Sequence, residues 1–293
     1  MRNFNEETIT EAVLARFADA PSPRIKLISE ALVRHLHAFV REVRPSQTEW
    51  EAGIDFLTRT GQMCSPTRQE FILLSDALGV SMLVDAINHP LPMGATETTV
   101  LGPFYVDDPP EFPLGADISG GKEGKALFVE GTVKAIDGTP IAGAWVDTWH
   151  ADAEGYYDVQ LSDVPELDMR ARLRTDDQGR FWYKSIVPAY YPIPADGPVG
   201  QMLAAQGRHP YRPAHVHFMI GAPHFETLIT HVFLDGDPYL DSDVVFGVKD
   251  SLIRGLGEVG PGTTPEGHEV DETASLLTYH FVLAPEKHLA RYA

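Results

Sequence analysis

Leu127-Phe128-Val129-Glu130-Gly131-Thr132-Val133, then Asp137-Gly138, then Ala144-Trp145-Val146-Asp147-Thr148-Trp149 is the stretch in which the apolar period becomes two. Alternation of this kind fits a pleated strand with one face turned to a core, and Asp-Gly between two such runs is a strong signal for a tight reversal. A β-rich region is therefore predicted to begin near Ala126. Toward the C-terminus, further strands are predicted over Arg180-Phe181-Trp182-Tyr183, Ala214 to Ile220, Leu228 to Leu234 and Leu277 to Leu283. Short strands separated by turn residues predict an antiparallel sandwich.

Toward the N-terminus the texture changes. Between His89-Pro90-Leu91-Pro92 and about Lys125, the pairs Gly102-Pro103, Pro109-Pro110 and Gly120-Gly121 punctuate a linker or covering loop. Before it, apolar residues recur at helical spacing, as in Ile25, Leu27, Ile28, Leu32, Leu36, Phe39 and Val40. About four helices are expected from Glu6 to Ile87. Pro45-Ser46 reads as a helix start, and one helix is expected to run through Phe71-Ile72-Leu73-Leu74 to Met82 and Val84. The class expected is α+β: a helical N-terminal domain over residues 1–95, followed by an antiparallel β-sandwich domain over residues 96–293.

A chain of 293 residues, 43% hydrophobic, has material for a large core. Its formal net charge of −19, with no Lys/Arg cluster, argues against a nucleic-acid partner. The single cysteine, Cys64, excludes an intramolecular disulfide. No secretory leader or bilayer-length apolar run is read in the sequence, so a cytoplasmic protein without membrane insertion is expected. Gly255-x-Gly257-x-x-Gly260 has the spacing of a dinucleotide loop, but Pro261-Gly262 follows at once and leaves no helix for it to open.

The sharpest chemical feature is Arg212-Pro213-Ala214-His215-Val216-His217-Phe218. Residues i and i+2 of a strand share a face, so His215 and His217 are able to place two imidazoles on one metal, although core or exposed histidines show the same alternation. Two tyrosine pairs in turn-like surroundings, Tyr156-Tyr157 after Gly155 and Tyr190-Tyr191 between Pro188 and Pro192, are the further candidates, with packing as the plainer alternative. Two phenolates and two imidazoles form a hard, anionic donor set that favours Fe(III) over Zn(II) or Cu(I).

Three motifs, Trp149-His150-Ala151-Asp152-x-x-Gly155-x-Tyr157, Pro188-x-x-Tyr191-x-x-Pro194 and Gly207-Arg208-His209-Pro210-x-Arg212-Pro213-Ala214-His215-Val216-His217, resemble the intradiol dioxygenases over nearly the whole chain. Phe56-Leu57-Thr58-Arg59-Thr60-Gly61-Gln62, Gln69 to Asp76, Gly94-Ala95-Thr96-Glu97, Leu101-Gly102-Pro103-Phe104 and Tyr191-Pro192-Ile193-Pro194 are most similar to the hydroxyquinol-cleaving branch. Catechol and chlorocatechol dioxygenases share several of these segments and are the alternative.

The resemblance implies one Fe(III) per subunit, with Tyr157 and His215 as equatorial ligands, Tyr191 and His217 as axial ligands, and a hydroxide. A slip of one residue would exchange the members of each tyrosine pair. It implies an aromatic diol or triol and O2 as substrates. The diol is expected to chelate iron as its dianion and to displace hydroxide and Tyr191, the two bases that accept its protons. Arg212 is expected to stabilise developing negative charge, with a surface ion pair as the alternative.

Leu73, Asp76, Val100, Leu101, Gly102, Ile193, Pro194 and Val245 are expected to wall the substrate pocket, and Asp76 to accept a hydrogen bond from a third ring hydroxyl or else to face solvent. The resemblance further implies a homodimer through the helical domain, with a phospholipid held at that interface. His231 stands where many catechol dioxygenases carry glutamine, and either tunes the arginine or fills space. A colourless zinc hydrolase or a non-catalytic transthyretin-like small-ligand carrier are the rival classes.

Overall fold

The computed structural model describes residues 2–65, 68–161, 167–264 and 267–286. The chain divides into two compact units, residues 1–59 and 60–293. Helices α1 (Ile9–Leu14) and α2 (Pro23–Val43) and most of α3 (Gln47–Gln62) make up the first. The Ser22 hydroxyl caps α2, with Pro23 at a first-turn position where no backbone donor is needed. Pro45-Ser46 opens α3 as the sequence predicts. Ser46 Oγ accepts the Glu49 N–H at 3.3 Å and the Glu49 carboxylate accepts the Ser46 N–H at 2.7 Å, a reciprocal cap.

The helix expected to reach Val84 is instead two helices, α4 (Glu70–Ala77) and α5 (Val80–Asn88), so among the described residues five α-helices rather than about four precede the sheets. Gly79, at φ +72°, makes the break. This left-handed conformation closes one helix and starts the next, and glycine adopts it without the steric cost of a Cβ.

The second unit continues with β1 (Ala126–Ala135), β2 (Trp145–His150), β3 (Arg170–Arg174), β4 (Arg180–Ile186) and β5 (Tyr191–Pro192). Helix α6 (Pro198–Ala205) follows, then β6 (Tyr211–Arg212), β7 (His215–Gly221), β8 (Leu228–Leu234), β9 (Ile253–Arg254), β10 (Gly257–Val259), β11 (Gly262–Thr263), β12 (Glu269–Val270) and β13 (Ala274–Leu283). A sheet of order β10-β13-β1-β4 packs on a sheet of order β3-β2-β7-β8-β9. Leu127, Val129, Phe181, Leu277 and Phe281 from the first meet Val146, Leu173, Val216, Phe218 and Ile220 from the second, all at 1% exposure or less. Most pairings are antiparallel, as expected, but β1 runs parallel to β13, with Gly131 opposite Tyr279, and β8 runs parallel to β9. Among the described residues, no helix is long and apolar enough to cross a membrane.

The pleat positions what matters. In β7, Val216, Phe218 and Ile220 fill the core, so His215 and His217 emerge on the opposite face of the five-stranded sheet. The β2–β7–β8 ladder sets Trp149 and His231 on either side of His217. The linker covers this face closely: a Cβ at Gly102, which has φ +79°, would lie 3.2 Å from His217 Cε1.

Candidate active site

His215 and His217 hold their Nε2 atoms 3.1 Å apart. Tyr157 Oη lies 2.9 Å from His217 Nε2, 3.5 Å from His215 Nε2 and 3.5 Å from Tyr191 Oη. All four side chains are at most 3% exposed, whereas Tyr156 and Tyr190 are 48% and 45% exposed. The second tyrosine of each pair is thus the one that faces inward. Gly155, at φ +89°, allows it: a Cβ there would fall 2.9 Å from Tyr190 O and from Tyr191 Cβ, so only glycine lets the two tyrosine segments touch.

The surrounding residues fix each donor. The His215 Nδ1–H donates to Pro213 O at 2.7 Å, which leaves Nε2 with its lone pair facing the cluster. Trp149 stacks on His217 at 4.5 Å, and Phe104 stacks on Tyr157 at 4.4 Å. Strands β5 and β6 pair so that Tyr191 lies opposite Arg212.

Arg212 is 3% exposed. Its Nε and Nη2 donate to Asp243 at 3.1 and 3.3 Å, while Nη1 stands 3.4 Å from His215 Nε2. Asp243 also accepts the Gly247 N–H at 2.9 Å and the Val245 N–H at 3.3 Å. Burial alone would raise the Asp243 carboxyl, but Arg212 and these N–H groups hold it below its usual range. Burial likewise opposes the charge on Arg212, and Asp243 overcomes it. His231 adds its Nδ1 at 3.4 Å from Arg212 Nη2 and stacks on His215 at 4.8 Å.

Burial, then the charge of Arg212, lowers His215 to about 3. Burial also pushes His217 well below its ordinary value, reinforced by His231 and His215. Both imidazoles are therefore neutral at pH 7, the form that binds a metal. Tyr157 is pushed up, first by burial and then by Tyr191, so its phenol stays protonated until a cation arrives to favour the phenolate.

Leu73, Asp76, Val100, Gly102, Ile193, Pro194, Arg212 and Val245 line a small cavity that opens on Tyr191, and Pro103 and Phe104 line it as well. Leu101 lies beside the Trp149–Tyr157 cluster and lines an adjoining cavity of about 960 Å³ that shares the Asp76, Val100 and Pro194 wall. Asp76 is 6% exposed, and burial raises its pKa against the opposing influence of Ser81 and Arg212. The solvent-facing alternative for Asp76 is excluded.

Residues 101–285 match the family described as dioxygenase, and residues 22–96 match the catechol dioxygenase N terminus. The chain is 55% identical to a 6-chlorohydroxyquinol 1,2-dioxygenase of Cupriavidus pinatubonensis, over 86% of its length and 92% of that protein. The chain belongs to the intradiol dioxygenase family. This dioxygenase is also 52% identical to a hydroxyquinol 1,2-dioxygenase of Rhizobium sp., over 87% of each chain. The solved hydroxyquinol 1,2-dioxygenase of Pseudomonas putida DLL-E4 superposes with a TM-score of 0.91 at 46% identity, covering 96% of this chain and 99% of that one.

Non-haem iron is the cofactor of this family, and the donor chemistry of the dioxygenase fits a metal ion. His215, His217 and His231 bring ligand atoms within 4.8 Å of one another, and the Tyr157 phenol crowds the same space. The phenol and imidazoles can hydrogen-bond to one another at these distances, and the convergence of their lone pairs on one buried point also suits a shared cation.

The sequence did not point to Asp243 as the partner of Arg212, or to Phe104 as the ring covering Tyr157. Asp243 lies in Asp241-Ser242-Asp243, where nothing distinguishes it from its neighbour. A signal did exist for Phe104, since Gly102-Pro103-Phe104 belongs to the segment that resembles the family.

Proposed function

We propose that this dioxygenase cleaves hydroxyquinol (1,2,4-trihydroxybenzene) with O2 between its two adjacent hydroxyl-bearing carbons. The product is 3-hydroxy-cis,cis-muconate, the enol form of maleylacetate. In this reading Tyr157, Tyr191, His215 and His217 hold one ferric ion per subunit. The observation that carries it is the approach of their four donor atoms beside a cavity that also contains Arg212 and Asp76. The named activities of the relatives support the choice of triol.

A ferric ion held by these four residues would supply the Lewis acidity that favours the deprotonated diol and the ring's reactivity toward O2. The protein does the rest. Tyr191, a phenolate while it holds the metal, would take up a substrate hydroxyl proton at Oη and become the neutral phenol, from a buried position that lines the cavity. Arg212 Nη1 is the guanidinium donor left over from Asp243, and it meets negative charge as it grows on the substrate oxygens. Asp76 accepts the hydrogen bond of the third ring hydroxyl, an interaction that catechol cannot supply. Leu73, Ile193 and Val245 exclude water around the ring.

The helical unit of the dioxygenase pairs with that of a second copy and encloses a phospholipid. The apolar row Ile28, Leu32, Leu36 and Phe39 on α2, 50–58% exposed, supports this arrangement.

Oxygen uptake by the iron-loaded enzyme over hydroxyquinol, catechol and chlorocatechols tests the proposal. The expected kcat/KM is highest for hydroxyquinol. Asp76→Ala should lower it by about 10–100-fold, as loss of a buried substrate hydrogen bond does, and change catechol turnover far less. A preference for catechol by the unaltered enzyme would overturn the substrate assignment.

A further inference from the structure

We propose that Arg170 is a positioning residue for Tyr157: one guanidinium ties the segment that carries this tyrosine to the segment whose ring covers it, and so sets the orientation of the phenol toward His217. The inference rests on the reading of Tyr157 as a metal ligand.

Arg170 opens β3 and is 2% exposed. A buried guanidinium is costly unless its charge and its N–H groups are matched, so the identity of its partners is informative. Nε donates to Asp158 Oδ2 at 2.7 Å, Nη2 donates to Asp158 Oδ1, and Nη1 donates to the Phe104 carbonyl at 3.0 Å. Each partner leads directly to Tyr157.

Asp158 is the next residue in the chain and begins the short helical turn Asp158–Gln160, for which Tyr157 is the cap. The Tyr157 N–H donates to Gln160 Oε1 at 2.9 Å, and Asp158 Oδ1 accepts the Val159 N–H at 2.8 Å, so the carboxylate held by Arg170 is locked into the backbone that presents the tyrosine. Phe104 lies on the other side, its ring stacked on Tyr157 at 25°. Arg170 therefore holds the root of the tyrosine and the lid over its ring at once.

The same strand register links it to the histidine side. Arg170 pairs with Trp149 in the β2–β3 ladder, and Trp149 stacks on His217 at an interplanar angle of 13°. A lysine in place of Arg170 would keep the charge but not the fork, since two donors toward one carboxylate and a third toward a carbonyl need the planar guanidinium. Arg172, two residues along the strand, is a natural comparison. It makes a bidentate pair with buried Asp147, at 2.7 Å from both Nε and Nη2, but neither partner adjoins a donor residue in sequence or holds the ring over one, and the link to His217 runs at a remove through Tyr105 and Trp149.

The test uses the ferric protein and compares wild type with Arg170→Lys, Phe104→Leu and Arg172→Lys. Two readouts are taken besides turnover: the position of the visible tyrosinate-to-iron absorption, and the rate at which a chelator strips the iron. Arg170→Lys and Phe104→Leu should each shift the band and speed iron loss by about 10–100-fold, the usual scale for partners that orient a metal ligand. Arg172→Lys should lower the melting temperature while leaving the band in place. A wild-type protein with no tyrosinate band would sink the reading of Tyr157 as a ligand. A wild-type band that neither Arg170→Lys nor Phe104→Leu moves, with unaltered iron loss, overturns the role of Arg170 alone. Should Arg170→Lys not fold, Phe104→Leu decides by the same criteria, because it leaves the buried ion pair untouched.

Discussion

Acidification from pH 7.5 to 5.5 should destabilise the metal-free protein far more than its carboxylates alone would explain. His150, His215, His217 and His231 are each at most 2% exposed. His150 is held at both ends, Nδ1 against Ala151 O at 2.7 Å and Nε2 against Ser185 Oγ at 2.8 Å. Burial is the leading cause that lowers all four, to about 4 for His150, about 3 for His215, and well below the ordinary value for His217 and His231.

The unfolded chain titrates these imidazoles near 6.5. Across the window the unfolded state therefore gains protons that the folded state does not, and stability falls as pH falls. Each histidine contributes a loss of about 1.4 kcal/mol over this interval, so the four together cost about 5.5 kcal/mol. The sum requires only that the folded values lie below the window. Asp76, whose carboxyl is raised by burial, acts in the opposite direction. Asp243, held low by Arg212, loses its contribution only once the pH falls into the carboxylate range.

Urea unfolding followed by tryptophan fluorescence in the presence of chelator measures the difference. His150→Asn should reduce the pH-dependent loss by about 1.4 kcal/mol. A total change under about 1 kcal/mol would refute the reasoning, since it would mean that the imidazoles are protonated in the folded protein.

Exchange of the hydroxyl within each tyrosine pair separates the inner from the outer member. Tyr157→Phe should abolish most of the visible absorption and reduce turnover by more than about 100-fold, beyond the range of outer-sphere changes, whereas Tyr156→Phe and Tyr190→Phe should leave both near wild type. Gly102→Ala should strain a left-handed backbone by about 1–2 kcal/mol and press a methyl group on His217. Titration with ferric iron should then show weaker binding, and unaltered affinity would indicate that the linker yields.

Much of the candidate site's geometry is legible in the sequence because strand periodicity and the spacing of candidate donors are local. His215-Val216-His217 carries both the pleat and the donor pair within three residues, and the flanking Val216 and Phe218 declare which face is core. Gly155 and Pro188 mark the turns from which the tyrosines project. What escaped the reading depends on residues distant in sequence. Strand β3 reads as Arg170-Ala171-Arg172-Leu173-Arg174, an exposed pattern by composition, yet Arg170 is buried because Asp158 receives it. The Arg212–Asp243 pair has the same character: nothing near Asp243 reveals that a guanidinium 31 residues earlier will neutralise it. The break at Gly79 was hidden inside a largely apolar stretch interrupted by Ser75, Asp76 and Ser81, where helical periodicity outweighed the conformational signal of one glycine.

The parallel union of β1 with β13 bears on how the chain matures. Thr132 meets His280 across 148 positions, so the layer that closes the sandwich lacks its penultimate edge while most of the polypeptide is being synthesised. During that interval the Leu127, Val129 and Val133 face has β4 beside it but no β13, and it exposes unpaired amides along one side. Closure over such a long loop is slow, and the waiting sheet is the part of the nascent protein most prone to associate with a neighbour. Deletions that remove Leu276 to Leu283 should therefore produce inclusion bodies rather than a shortened enzyme, even though Tyr157, Tyr191, His215 and His217 all lie upstream.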